Sequence, residues 1–396
     1  MIQPFQIANL PKIQFGWGIR HQFAEQFTKR GYASIVLISS RYLAQPGQFS
    51  ATLIDQLQQQ GLRVSVFTVS GEPSPDLVDE LVQASPSNAK AVIAIGGGSV
   101  LDTAKAVAGL IPSRTSVMEY LEGVGAGKPF DVETLPFYAL PTTAGTGSET
   151  TKNAVLSRLG QFKKSFRDDK LLAKEVWLDP QFLETCPQPV LYSTGMDAFT
   201  QLLESYTTQK ANPITDALAW QGMTLFHGAF ECIQSPEPDL RKTGYGDLML
   251  AASLSGITLA NAGLGAVHGL AGPIGAFFDA PHGLVCARLL APITDANIRA
   301  LQQEDSVFAR QTLDKYTQVA RLLTEDQTAD QNQALQSLIE YLAQLTARYA
   351  PESLSEFGLT PCQLSPVIEN CRSGSMLGNP LTLSDDQLLN ALYQAL

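Results

Sequence analysis

The hydrophobic pattern changes character once along the chain. In the first part, short apolar runs recur with turns and amphipathic stretches between them. Ala33–Ile38 is nearly continuous apolar sequence, and Ala91–Ile95 and Pro136–Leu140 are similar. Such runs mark strands buried on both faces of a sheet. Arg63–Val69 reads as a further strand, and residues 1–20 as a strand or ribbon closed by the turn Phe15–Gly18. Helical patterns follow that turn to about Arg30 and run near Phe49–Gln60 and over Pro75–Ala84. Alternating β and α elements predict a parallel, doubly wound sheet.

After Val176-Trp177-Leu178-Asp179-Pro180 no strand-like run appears. The pattern predicts helices that open at Thr194, cover Ile214–Cys232, and run from Tyr245 into the segment around His268. Others are expected over Leu313–Thr324, Ala329–Tyr349, Leu364–Cys371 and Asp385–Leu396. This divides the chain into an α/β domain, residues 1–184, and an all-α domain, residues 185–396. A chain of 396 residues is too long for one ordinary core, which agrees with two domains.

The net charge of −11 argues against non-specific binding to nucleic acid or an anionic membrane surface. No apolar stretch approaches the length of a membrane span, and the N-terminus lacks the pattern of a signal peptide. The five cysteines are scattered and none forms a CxxC pair, so reduced, core-filling thiols in a cytosolic protein are expected.

Three stretches carry candidate chemistry. Gly96-Gly97-Gly98-Ser99 follows the strand Ala91–Ile95 and opens a helix containing Asp102. A glycine turn there brings backbone N–H groups and a positive helix end against a pyrophosphate. It is not GxGxxG, so the standard Rossmann fingerprint is absent. Pro141–Thr151 follows the next strand with five threonines, one serine and two glycines. Thr142, Thr143 and Thr146 there suit a second phosphate or ribose cradle, with Lys163 and Lys164 close behind to neutralise charge. Asn261–Cys286 holds two of the four histidines, His268 and His282, among small apolar residues. That setting suits a buried metal or a substrate pocket, and equally two core histidines bonded to carbonyls. His227, without an acidic partner at helical spacing, reads as structural.

Together GGGSVLDTAK, LPTTAGTGSE, GMDAFTQ and HGLAGPIGAFFDAPHGL, with VWLDP and the late GNP, resemble the iron-containing (group III) alcohol dehydrogenase family over nearly the whole chain. The resemblance implies an NAD(P)-binding α/β domain, an all-helical domain and a divalent metal, Fe²⁺ or Zn²⁺, in the cleft between them. It implies hydride transfer between NAD(P)H and a small alcohol or aldehyde, with the metal polarising the substrate oxygen. The family's ligand pattern falls on Asp197, Gln201, His268 and His282, with Asp197, His268 and His282 as the catalytic centre. Gln201 departs from it, since the family has histidine there; its amide serves as a loose fourth ligand or bonds a metal-bound water. Gly272 stands where many relatives carry a proton-relaying histidine. Ser40, followed by Arg41, stands where NAD-preferring relatives tend to have aspartate, so NADP(H) is expected to be accepted at least as well as NAD(H). Assembly of two or more copies is expected. Readings set against these are a metal-free reductase of an oxo acid, like maleylacetate reductases, a dehydroquinate synthase-like lyase, and a non-catalytic nucleotide-binding relative.

Overall fold

The computed structural model describes residues 4–396. Its first part runs β1 (Lys12–Phe15), α1 (Phe23–Thr28), β2 (Ser34–Ser40), α2 (Phe49–Gln59), β3 (Arg63–Val69), α3 (Pro75–Ala84), β4 (Val92–Gly96), α4 (Gly98–Leu110), β5 (Phe137–Pro141), β6 (Asn153–Arg158), β7 (Phe162–Arg167) and β8 (Glu175–Leu178). Six strands form a parallel sheet in the order β1-β8-β5-β4-β2-β3. Successive side chains of a strand point to opposite faces, and here both faces are covered. Ile35, Leu37 and Ile93 join Phe23, Phe27, Leu53 and Leu57 on one side. Val36, Ile38 and Val92 meet Val78, Leu101 and Val107 on the other. Each such side chain withdrawn from water contributes about 1.5–3 kcal/mol, which is why the central strands read as unbroken apolar runs.

Strand β2 lies between β3 and β4, so the connections leaving it and entering β4 run to opposite sides. In register, Ser39 is opposite Ile95, and Gly96 opposite Pro141. The carboxyl ends of β2, β4 and β5 therefore form one edge at a topological switch point, the place where open α/β sheets bind nucleotides.

The sequence pattern did not reveal β6 and β7, an antiparallel hairpin whose strands are only half buried. It leaves the sheet and reaches the helical part, where Gly160 N–H donates to the Ala276 carbonyl at 2.8 Å.

The rest of the chain is α5 (Gln188–Thr207), α6 (Pro213–Phe226), α7 (Ala229–Gln234), α8 (Pro238–Ala262), α9 (Ala266–Phe277), α10 (His282–Gln302), α11 (Val307–Thr324), α12 (Gln331–Tyr349), α13 (Leu364–Cys371) and α14 (Asp385–Ala395). Three expectations are corrected. Helix α5 opens at Gln188, not Thr194, because Pro187 and Pro189 set its first turn. The helix expected over Ile214–Cys232 is two helices, broken where Gly228 takes a left-handed φ of 79°. The stretch from Tyr245 into the His268 segment is also two, meeting at about 100° across Gly263, φ 75°. Helix α10 was not anticipated; it begins on His282 itself and carries Pro292 inside. Among the described residues no single helix is long and apolar enough to cross a membrane.

The two parts meet backbone to backbone. A Cβ on Gly256 of α8 would lie 2.2 Å from the Gly147 carbonyl oxygen, in the loop after β5. Gly256→Val must push that loop off α8. We expect a loss of about 1–3 kcal/mol, typical of overpacking, read as a lower denaturant midpoint; an unchanged midpoint would show that the contact is not tight.

Candidate metal and cofactor site

Three helices bring the candidate ligands together. Asp197 lies midway along α5, His268 in the first turn of α9 and His282 at the start of α10. His268 Nε2 is 3.0 Å from Asp197 Oδ1, and His282 Nε2 is 3.9 Å from the same oxygen. Asp197 is 1% exposed. Burial works against its ionisation, but His282, His268 and the Gln201 amide outweigh burial and hold its carboxyl at about 2. Burial pushes His282 down to about 4, leaving a neutral ring with a lone pair to offer. A buried carboxylate facing two imidazole nitrogens is a donor set that divalent Zn or Fe accepts.

Behind the cluster stands Glu204, which the sequence reading missed. It lies seven residues after Asp197 on α5 and is 8% exposed. One carboxylate oxygen accepts from Val267 N–H at 2.7 Å, and the other is 2.6 Å from His268 Nδ1. With Nδ1–H donating to Glu204, Nε2 is the ring nitrogen left to serve a cation beside Asp197. Hydrogen bonding of this kind fixes the tautomer of metal-binding histidines. Asn379, from the late GNP, completes the clamp: its Oδ1 accepts from Ala266 N–H at 3.0 Å. Both caps require Gly265, whose Cβ would fall 2.9 Å from Glu204 Oε1 and Asn379 Oδ1. Burial disfavours a charged His268 ring, but Cys286, Asp197 and Glu204 together raise its pKa well above the usual value. Without a cation the ring holds a proton between two carboxylates.

Gln201 sits one turn after Asp197, and its side-chain oxygen accepts from Ser255 Oγ at 3.1 Å. Its amide, next to Asp197, helps to keep that carboxylate ionised. The amide oxygen is thus turned to α8 rather than offered to the cluster. In its place the structure brings up Cys286, expected only as a core filler, four residues after His282 on α10. Ligand atoms of Asp197, His268, His282 and Cys286 lie within 4.8 Å of one another. Their i,i+4 spacing puts His282 and Cys286 on one face of α10, a signal hidden while that helix went unrecognised. Asp279, near His282 in sequence, is exposed. His227 caps α6 and pairs with Glu325 at 3.2 Å, outside the cluster. A Cβ at Gly272 would meet nothing within 4 Å, so the position is open.

The candidate cofactor residues gather at the sheet's switch point. Gly97 caps α4, whose first amides, at Gly98 and Ser99, have no partner inside the helix. A Cβ on Gly97 would lie 3.1 Å from Thr143, and one on Gly98 3.0 Å from Thr146, so the two loops interlock. Thr142 N–H donates to the Gly96 carbonyl at 3.0 Å. Ser40 ends β2 beside them, its Oγ accepting from Leu43 N–H at 3.3 Å, and Arg41 is exposed. Asp102 is differently placed. Its carboxylate accepts from Ser148 Oγ, from Val155 N–H at 3.1 Å, and pairs with buried Lys105 at 3.4 Å. Lys105 also donates to the Ser148 carbonyl at 2.8 Å. This node ties the threonine loop and the hairpin to α4. Lys164 is half buried on β7, whereas Lys163 pairs with Glu72 at 2.8 Å.

The same threonine loop leads to the metal cluster. A Cβ on Gly145 would lie 2.6 Å from Thr194 of α5, one turn before Asp197. Ser255, which bonds Gln201, also lies 3.4 Å from the Gly145 carbonyl.

Fold and cluster define a class: an α/β dinucleotide-binding domain joined to a helical domain with a carboxylate–imidazole centre at the junction. Residues 11–180 match the family described as Iron-containing alcohol dehydrogenase, and residues 191–396 the C-terminal part of the Fe-containing alcohol dehydrogenase family. The chain belongs to this family. It is 31% identical to Alcohol dehydrogenase 4 of Saccharomyces cerevisiae (strain YJM789), over 73% of this chain and 75% of that one. It is 31% identical to Lactaldehyde reductase of Escherichia coli (strain K12), over 78% and 77%. An alcohol dehydrogenase structure from Oenococcus oeni superposes with a TM-score of 0.87 at 25% identity, over 99% of this chain and 100% of that one.

Glu204→Gln tests the clamp. The amide oxygen can still accept from Val267, but its NH₂ then faces His268 Nδ1 and favours the tautomer with hydrogen on Nε2. We expect metal affinity to fall about 10–100-fold, by competition with a chelator, in a folded protein; unchanged affinity would show that Glu204 does not set the tautomer.

Proposed function

We propose that this protein transfers hydride between a nicotinamide nucleotide and the carbon of a small alcohol or aldehyde, at a divalent metal held by Asp197, His268 and His282. One observation carries this reading: a single loop, Pro141–Thr151, packs on the N-terminus of α4 with one side and on α5 and α8 beside Asp197 with the other. A nucleotide on the glycine turn and an oxygen at the cluster are thereby brought to the same cleft. When bound there, such a metal would supply Lewis acidity to the substrate oxygen, where negative charge develops in hydride transfer. The residues present suit that task. Asp197 supplies charge, Glu204 orients His268, and His282 presents an uncharged ring. Open Gly272 leaves room above α9 but supplies no proton, so water, a ribose hydroxyl or the Thr and Ser groups of the loop carry it. Retention of Asp197, His268 and His282 argues against the metal-free oxo-acid reductase.

Gly96–Ser99, Thr142, Thr143 and Thr146 form the proposed cofactor cradle, with Lys164 near its rim and Asp102 holding the loop in place. The proposed domain boundary, between residues 184 and 185, is supported by its position after the last strand of the sheet and before α5. Five free cysteines support a reducing, cytosolic compartment, and a homo-oligomer is the assembly proposed.

Two outcomes are expected. Protein stripped by chelator should lose aldehyde reduction while still binding NAD(P)H, and regain it when a divalent metal is returned; full activity in protein shown to be metal-free would move the assignment to a metal-free reductase. At the adenosine ribose, Ser40 carries no charge to repel a 2′-phosphate, and Arg41 is close by. NADPH should therefore serve at least as well as NADH in steady-state assays. Ser40→Asp should swing the preference toward NADH by roughly 1–4 kcal/mol, the repulsion of two charges at about 4 Å. A parent enzyme that strongly prefers NADH would contradict this.

A further inference from the structure

Cys286 is fully buried in the core, and its sulfur lies beside two imidazole rings. Sγ lies 3.6 Å from His268 Nε2 and 3.7 Å from His282 Nε2. Metal–nitrogen and metal–sulfur bonds of about 2.0 and 2.3 Å at tetrahedral angles put N and S roughly 3.6 Å apart, and N and O roughly 3.3 Å apart. The two sulfur edges agree with that figure, and the oxygen edges of 3.0 and 3.9 Å straddle theirs. The four donor atoms, from α5, α9 and α10, all lie within 4.8 Å of one another. The Gln201 side-chain oxygen, which the family pattern would make the remaining ligand, lies 3.1 Å from Ser255 Oγ on α8.

We propose that Cys286 is a ligand of this centre, so that the metal is held by Asp197, His268, His282 and the Cys286 thiolate, and that Gln201 positions Asp197 without coordinating. This rests on the metal-centre reading above. Coordination forms one sulfur–metal bond and releases the thiol proton to solvent, lowering the charge of the centre by one. A soft thiolate in place of a neutral donor tilts selection from Fe²⁺ toward Zn²⁺.

The test uses the full-length protein, stripped of metal and titrated with Co²⁺ alone under reducing, anaerobic conditions. The parent should bind one Co²⁺ per chain and develop a near-ultraviolet thiolate-to-cobalt charge-transfer band. Cys286→Ser and Cys286→Ala should lose the band and bind Co²⁺ at least tenfold more weakly. Gln201→Ala should keep the band, as should Cys362→Ser at an exposed thiol. In competition, the Zn²⁺-over-Fe²⁺ preference of the parent should shrink in Cys286→Ser. A parent that binds Co²⁺ with no thiolate band, or a Cys286→Ala protein that keeps it, overturns the proposal and leaves the centre standing. A parent that binds no Co²⁺ overturns the metal centre itself, and this inference with it.

Discussion

Two acids on one helix, Asp197 and Glu204, are buried with a single imidazole between them. Burying two carboxylates is costly unless each is paired and hydrogen-bonded. Here the compensation comes from His268 and from amide groups at the start of α9. That requirement sets the local architecture. Helix α9 has to begin where it does, so that Val267 N–H reaches Glu204 and Ala266 N–H reaches Asn379. Gly265 has to lack a side chain, and the chain has to bend by about 100° between α8 and α9 to aim that terminus at α5. In the proposed centre a cation would take the place of the proton on His268.

The second constraint is contact between the domains. The loop after β5 touches α4 through Thr143 and Thr146, α5 through Gly145, and α8 through Gly147. Small residues occupy these places because backbone meets backbone or side chain at once. The buried Asp102–Lys105–Ser148 node holds the loop from the sheet side. The proposed nucleotide cradle and the proposed metal cluster are therefore coupled by rigid packing, and hydride transfer, sensitive to the relative placement of two carbons, would benefit from that rigidity.

Much of this was legible in the sequence, for definable reasons. Central strands announce themselves because both faces are buried, and β2, β4 and β5 are such strands. The hairpin β6–β7 does not, since its strands are only partly buried and carry Lys163, Lys164 and Arg167. Glycine turn, threonine loop and paired histidines were visible as local patterns. Glu204, Asn379 and Cys286 were not, because their roles depend on long-range contacts, from α5 to α9, from the C-terminal loop to α9, and from α10 to both. Once α10 is recognised, the spacing of His282 and Cys286 becomes readable. Gln201 shows the converse: the motif puts it one turn after Asp197, but only the packing of α8 brings Ser255 to its amide oxygen.

In the proposed centre one cation replaces the proton between His268 and Asp197. Anomalous diffraction at the zinc edge, from crystals of metal-stripped protein returned to Zn²⁺, addresses it directly. One strong peak per chain is expected, within bonding distance of Asp197 Oδ1, His268 Nε2 and His282 Nε2, with Glu204 still bonded to His268 Nδ1. No peak there, with His268 still bridging Asp197 and Glu204, would contradict it.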